Sequence, residues 1–183
     1  MAASTQLTPW HEALRPELSA LGFKKRVNAY VREHGRADHL VAFTPASAAP
    51  GFFYVDVAIV LGTPADAVKV AGKSVSWSRR IEQIVPSLPA KFAYDAPAAL
   101  IARVVTAVVT AASMMEPVKD EASALEALDL SAGFAKCWRA QLKQAVGDYA
   151  GAWSDLEAVA AEFGDRNGCD PPALARRYRI SHP

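Results

Sequence analysis

Two apolar runs of the sequence each carry polar or aromatic residues at alternate positions. Tyr30 and Arg32 lie in the run VNAYVRE, and Tyr54 and Asp56 lie in FFYVDVAIVL. Alternate residues of a β-strand face the same side of its sheet. A sheet face that carries one arginine, one aspartate and two tyrosine side chains could bind a partner. With Asp56 as a general base, it could also move a proton.

The strands that would position these residues follow from the turn signals around them. Residues 34–38 (HGRAD) and 45–51 (PASAAPG) predict two loops, so the three neighbouring runs form an antiparallel meander. A simple hairpin register then pairs Val31 with Val41, and Val41 with Val55. This register places all four candidate residues on one face.

Two interpretations of this polar face remain open. About 9.5 Å separates backbones two strands apart, so the long side chain of Arg32 can approach Asp56. If the face is exposed, Tyr30, Arg32, Tyr54 and Asp56 are candidate binding residues. If a C-terminal helix covers it, Arg32 and Asp56 form a structural ion pair.

The opposite face of the predicted sheet is apolar and forms the core. Helices near residues 10–21 and 96–113 are expected to cover it. The second helix carries a polar stripe that should face solvent. The buried sheet residues are expected to be Val31, Phe43, Phe53 and Val55, and the stripe is Arg103, Thr106, Thr110 and Ser113.

Residues 67–74 (AVKVAGKS) match a loose phosphate-loop pattern that ends in Gly72-Lys73-Ser74. In such loops backbone N–H groups hold phosphate at the start of a helix that follows a buried parallel strand. Here a break in the strand pattern comes directly before the motif. The strands that precede this break form an antiparallel meander. We therefore expect no nucleotide at this motif.

The histidines and cysteines suggest no metal or cofactor. Only His34 and His39 could approach each other, across the turn, and no thiol or carboxylate shell surrounds them. Cys137 and Cys169 fit neither a CxxC pair nor a disulfide framework. We expect both thiols to be unpaired in a reducing cytoplasm, with Cys169 the more exposed.

The remaining pattern is helical, which makes the predicted fold class α+β: a short antiparallel meander packed by helices, with a mostly helical C-terminal region. A first helix starts at Thr8-Pro9 and ends at Gly22, and the chain becomes helical again from about residue 76. Residues 1–92 would hold the first helix and the meander. Residues 93–183 are expected to pack on them as part of the same domain. Later helices are predicted from Asp95, over 119–129, 131–146 and 148–163, and from Asp170.

The segments ALRPELSALGFKKRVNAYVRE, HLVAF, FFYVDVAIV and RRIEQIVP together resemble the bacterial family catalogued as domain of unknown function 4304. The resemblance covers roughly residues 9–90, and Leu-Gly-Phe-Lys-Lys is its distinctive segment. This chain differs from the family pattern at Thr44, where a glutamine is expected, and at Asp56, where an asparagine is expected. The resemblance implies a fold and carries no activity.

Charge and hydropathy narrow the classes of partner. A net charge of +1 gives no general attraction to nucleic acids or anionic lipids. The apolar stretch 96–115 contains Arg103 near its middle, so we expect a buried helix and no membrane partner. The leading hypothesis is a non-enzymatic bacterial binding module with another protein as its partner, and an immunity-like module is one form of it. The alternative is a small enzyme that uses the polar sheet face around Asp56 and Arg32.

Overall fold

The computed structural model describes residues 6–62, 68–70, 73–164 and 169–182. For residues 68, 69 and 73–75 within these ranges, it describes only the backbone. Within these ranges a six-stranded antiparallel sheet packs with helices, and the C-terminal region is helical, so the α+β prediction is confirmed. The strands are β1 (Lys24–Lys25), β2 (Ala29–His34), β3 (Ala37–Pro45), β4 (Phe52–Leu61), β5 (Val68–Val70), β6 (Lys73–Val75), β7 (Trp77–Arg80) and β8 (Phe92–Ala93). The helices are α1 (Thr8–Ala20), α2 (Ile81–Ile84), α3 (Ala98–Met114), α4 (Glu121–Ala127), α5 (Ala135–Ala145), α6 (Tyr149–Phe163) and α7 (Pro171–Tyr178).

Helix α1 ends as its glycine predicts. The N–H of Phe23 donates to the carbonyl of Leu18 at 2.9 Å, and the N–H of Gly22 donates to the carbonyl of Ser19 at 3.0 Å. This pair of bonds is the Schellman motif, which requires a positive φ at the residue after the cap. Gly22 supplies it, with φ of +82°.

The turn between β2 and β3 is shorter than the sequence suggests. Gly35 and Arg36 alone form it, in place of the loop predicted over 34–38. Gly35 has φ of +66°, as the first central residue of a type II′ turn requires. A Cβ atom on Gly35 would lie 2.7 Å from the carbonyl oxygen of Lys119, so this backbone approach excludes a side chain. The loop has an even number of residues where an odd number was predicted.

The even loop moves β2 by one residue along β3. Tyr30 pairs with Val41, so the predicted pairing of Val31 with Val41 is wrong. A one-residue shift exchanges the two faces of a strand. Tyr30 and Arg32 therefore point to the helix-covered face, and Val31 lies on the other face.

The register between β3 and β4 differs from the prediction by two residues. Val41 pairs with Val57, so the predicted pairing with Val55 is wrong, but a shift of two leaves each face unchanged. Phe43, Phe53 and Val55 therefore lie on one buried face, as predicted.

Helices α1 and α3 cover this face as predicted. Trp10, Leu14 and Leu18 of α1 join one apolar cluster with Val104 and Val108 of α3. The polar stripe of α3 is exposed, and it consists of Arg103, Thr106, Thr110 and Ser113. The helix is 17 residues long, and none of the helices described is long and apolar enough to cross a membrane.

The segment after residue 76 begins with a strand, which corrects the helical prediction there. β7 pairs antiparallel with β4, from Trp77 opposite Ile59 to Arg80 opposite Asp56. It is four residues long, too short for its period to be read from sequence. Among the strands described, β7 is the outer one on this side of the sheet.

The later helices follow the predicted order. Asp120, Asp148 and Asp170 each accept a hydrogen bond from the backbone N–H three residues later, as N-cap residues do. The prediction that Asp95 caps a helix is wrong. Pro97 is the N-cap residue of α3 and has no side-chain cap, so Asp95 lies too far upstream.

Helices α5, α6 and α7 form a second apolar cluster around Cys137 and Leu156. Cys137 and Cys169 are unpaired and buried, and Cys169 keeps only 6 % of its surface exposed. Arg139 binds the buried Asp155 through two hydrogen bonds of 2.9 and 2.6 Å. This ion pair fixes α5 against α6.

The phosphate-loop pattern lies partly outside the described residues, because Gly72 is not described. The backbones of β5 and β6 on either side of it pair antiparallel. Lys73 and Ser74 thus lie in a strand, whereas a phosphate loop places this pair at the start of a helix.

Candidate functional site

The four predicted site residues do not form one site. Tyr54 and Asp56 lie on the outer face of the sheet, and both are partly exposed. Tyr30 and Arg32 lie on the helix-covered face, where Tyr30 is fully buried and Arg32 is 8 % exposed. The predicted approach of Arg32 to Asp56 is wrong, whether as a binding pair or as a structural pair, because the sheet separates them.

Arg32 instead joins two helix ends to the sheet. Its guanidinium donates to the carbonyls of Leu21, at 3.1 Å, and Ala112, at 3.3 Å, which end α1 and α3. It also forms an ion pair with Glu116 at 2.5 Å. Cations complement the negative end of a helix dipole, so Arg32 has a structural role at both helix ends.

His34 and His39 approach each other as predicted, with ring centroids 5.4 Å apart. His39 is fully buried: its Nε2 donates to the carbonyl of Val118 at 2.7 Å, and its Nδ1 accepts from Arg32 at 2.9 Å. Burial lowers the pKa of His39 to about 4, so its ring is neutral near pH 7. The described residues contain no group of three His, Cys, Asp or Glu side chains arranged to hold a metal ion.

Tyr30 also has a partner inside the core. Its hydroxyl donates to the backbone carbonyl of His11 at 3.2 Å and lies 3.2 Å from Nδ1 of the same residue. Burial raises the pKa of Tyr30 and lowers that of His11 to about 4. Both groups are neutral near pH 7 and pack as core residues.

The outer face carries a row of aromatic and charged side chains, which we call the aromatic strip. It consists of Phe52, Tyr54 and Asp56 of β4, with Arg80 and Lys91 beside them. The Arg80 guanidinium lies 3.8 Å from the centroid of the Tyr54 ring, and the Lys91 ammonium lies 4.9 Å from that of Phe52. Both cations are exposed. The two aromatic–cation pairs follow each other about 7 Å apart along the strand.

Asp56 lies at the end of the strip, and burial shifts the pKa of its carboxyl group. Thr44 donates to its Oδ2 at 2.6 Å, and Arg80 lies directly opposite on β7. Burial raises the pKa of the Asp56 carboxyl, and Thr44 and Arg80 partly offset that rise. The carboxylate is thus held in place by its neighbours and points away from Arg32.

Beyond Asp56 the outer face becomes apolar and covered. Leu40, Ala42 and Ala58 are fully buried and form a cluster with Val70 of β5. The strip is therefore confined to one end of this face.

Tyr54 and Asp56 were predicted from the sequence, whereas Phe52, Arg80 and Lys91 of the strip were not. Arg80 was placed in a predicted helix, where alternation gives no information about sheet faces. Lys91 is in no predicted strand, and only the pairing of β8 with the start of β4 brings it over Phe52. The adjacent arginines at positions 79 and 80 were the signal in the sequence that could have indicated a cationic surface.

No family model, curated protein or solved structure matches this chain. The resemblance to the domain of unknown function 4304 family therefore stays a prediction. A function is therefore inferred from the geometry of the described residues.

Proposed function

We propose that the protein is a non-enzymatic binding module that docks an acidic segment of a partner protein on the aromatic strip. One observation carries this proposal. Arg80 and Lys91 are exposed, and each lies against an aromatic ring without an ion pair to any acid of the described chain. Among the described residues neither cation has an ion pair within 4.0 Å, although Arg80 also attracts the Asp56 carboxylate on the neighbouring strand.

The strip suits carboxylates because its cations are held in place before binding. A guanidinium that stacks on a ring still presents its N–H groups at its edge, where a carboxylate can accept two of them. Stacking also reduces the side-chain freedom that binding would remove. Phe52 and Tyr54 add apolar surface between the charges.

A protein is a better partner than a nucleic acid for this strip. The whole chain has a net charge of only +1, which gives no general attraction to a phosphate backbone. The enzyme alternative needed Arg32 beside Asp56, and these lie on opposite faces, so we do not propose it. A cytoplasmic location and an immunity-like role are consistent with this proposal and extend it.

Chemical-shift mapping with hexaglutamate as the probe tests the proposal. We expect shifts confined to β4, β7 and the segment around Lys91, and at least a fivefold loss of affinity in Arg80→Gln and in Lys91→Gln. Arg176→Gln removes an exposed cation from α7 and should leave binding unchanged.

Three outcomes contradict the proposal. The first is no saturable binding of hexaglutamate by the folded protein. The second is an equal loss of affinity in Arg176→Gln, which would indicate attraction by charge alone. The third is tighter binding of a single-stranded oligonucleotide to the same residues, which would identify a nucleic acid as the partner.

A further inference from the structure

A separate cavity of about 350 Å³ lies on the opposite, helix-covered side of β7. Trp77 and Arg79 of β7 line it together with residues of α2, α3 and the end of α4. Because side chains alternate along a strand, these two residues face this side while Arg80 faces the aromatic strip. The cavity and the strip are therefore two different surfaces of one strand.

The walls of the cavity are mainly apolar. Ile84, Val85, Met115 and Leu128 line it, and Met114 contributes a side chain that is 58 % exposed overall. Small-molecule sites have this composition and occupy roughly 300–1,000 Å³. Methionine side chains adapt to ligands of different shape. The walls thus suit a hydrocarbon or aryl group.

Two donors in the same lining have no hydrogen-bond partner among the described residues, although Arg79 also attracts the Asp129 carboxylate. The indole Nε1 of Trp77 is buried and has no hydrogen-bond partner in the described chain. A buried donor without a partner loses free energy of hydration that a bound acceptor would restore. The Arg79 guanidinium lies 5.9 Å from the Trp77 ring centroid and forms no ion pair within 4.0 Å with a described acid.

The other polar groups of the lining already have partners. The Gln83 side-chain oxygen accepts from the backbone of Arg80 at 3.1 Å, and the Thr110 hydroxyl donates to the carbonyl of Thr106. Asp129 is exposed, and its carboxylate accepts from both the N–H and the hydroxyl of Ser131. Indole and guanidinium groups donate and never accept, so a ligand must supply the acceptor.

We propose that this cavity binds a small amphipathic carboxylate. The Trp77 indole turns to bring its buried Nε1 to the cavity surface, so that the carboxylate accepts hydrogen bonds from Trp77 and Arg79, and the apolar body packs against Met115 and Leu128. A carboxylate fits better than a neutral acceptor because one of the two donors carries a full charge. This inference is independent of the partner proposed for the aromatic strip.

Calorimetry with octanoate, 1-octanol and acetate tests each part of the proposal. We expect one octanoate per chain, and at least tenfold weaker binding of 1-octanol, which lacks the charge, and of acetate, which lacks the apolar body. Trp77→Phe keeps a ring and removes the N–H, and Arg79→Gln removes the charge. Each should weaken octanoate binding about tenfold or more. Trp153→Phe is the matched control, because the Nε1 of Trp153 already donates to Glu157 on α6.

Several results would overturn the inference. They are no octanoate binding by the folded protein, equal affinity for octanoate and 1-octanol, or affinity within twofold of wild type in Arg79→Gln. Arg79 is only partly buried, so its variant tests the site even if Trp77→Phe fails to fold. Loss of hexaglutamate binding in Arg80→Gln, with octanoate binding retained, would show that the two surfaces act separately.

Discussion

Asp56 is a partly buried carboxylate that has no close ion pair with a described residue. Burial raises its pKa in the folded state, so ionisation of this group opposes folding. For an acid with a raised pKa, that penalty is absent below the unfolded pKa, near 4. It is complete above the folded pKa.

Asp56→Asn should therefore raise the free energy of unfolding at pH 7. Asparagine keeps an oxygen that can accept from Thr44, and it removes the charge that burial penalises. The gain should shrink as pH falls and vanish near pH 3, where Asp56 is protonated in both states. Urea denaturation at pH 3, 5 and 7 measures this difference. A variant that is less stable than wild type only at neutral pH would show that Arg80 stabilises the ionised carboxylate by more than burial destabilises it.

Arg32 is a second residue whose role is local and structural. Lysine cannot reproduce its contacts with two helix-end carbonyls, His39 and Glu116, because an ammonium lacks the planar fork. Arg32→Lys should lower the free energy of unfolding by about 1–3 kcal/mol. Arg36→Lys is the matched control: that side chain is 75 % exposed, and its pair with Glu121 should be worth no more than about 1 kcal/mol. Equal losses in the two variants, measured by denaturant unfolding, would contradict the anchoring role of Arg32.

The β2–β3 turn is the element on which the arrangement of the sheet depends. Gly35 combines a positive φ with a close approach to the backbone of Lys119, and the N–H of Arg36 donates to the same carbonyl at 2.7 Å. The turn is thus fixed by contacts with the segment after α3. Its two-residue length determines which side chains of β2 face the core.

Gly35→Ala should destabilise the protein more than Gly51→Ala. Both glycines have positive φ, which costs an alanine roughly 1–2 kcal/mol, but a Cβ on Gly51 meets no atom within 4 Å. The clash with Lys119 should add about 1 kcal/mol or more at Gly35. Thermal or urea unfolding of the two variants isolates this contact. Equal destabilisation would mean that the Lys119 segment moves away without loss.

Strand β7 gives the outer edge of the sheet two different surfaces. Trp77 and Arg79 line the cavity, and Arg80 lies over Tyr54 on the aromatic strip. One four-residue strand thus contributes to both proposed binding surfaces, because its side chains alternate between the two faces of the sheet.

At the scale of the whole molecule, two buried neutral histidines connect stability to pH. His11 lies between α1 and the sheet, and His39 lies between the sheet and the segment after α3. Burial lowers the pKa of each to about 4, below the ordinary value of 6.5. The unfolded chain therefore binds protons that the folded chain excludes, and stability is lost as pH falls from about 6.5 through 4.

We expect the free energy of unfolding to fall by about 1–3 kcal/mol per buried histidine between pH 7 and pH 4. His39→Gln keeps one donor and one acceptor and removes the titration, so its slope against pH should be clearly shallower. Denaturant unfolding across this range provides the measurement. The same slope in wild type and in His39→Gln would contradict a contribution of His39 to the acid sensitivity.

Most elements of the fold could be predicted from local sequence signals. A glycine after the last turn ends α1, Asp170 begins the last helix, and the apolar alternation of β3 and β4 assigns Phe43 and Phe53 to the core. These signals depend on one strand or one helix at a time. A shift of two residues between β3 and β4 did not change their faces.

Contacts between distant segments determine which β2 side chains point to the core and which groups Arg32 binds. The loop residues 34–38 are compatible with an odd or an even turn, and the choice exchanges the faces of the strand. The approach of Lys119 to Gly35 accompanies the even turn, and that contact is 84 residues away in sequence. Lys91 reaches the aromatic strip in the same non-local way, through strand pairing. Periodicity cannot encode such contacts, because they depend on how distant segments pack.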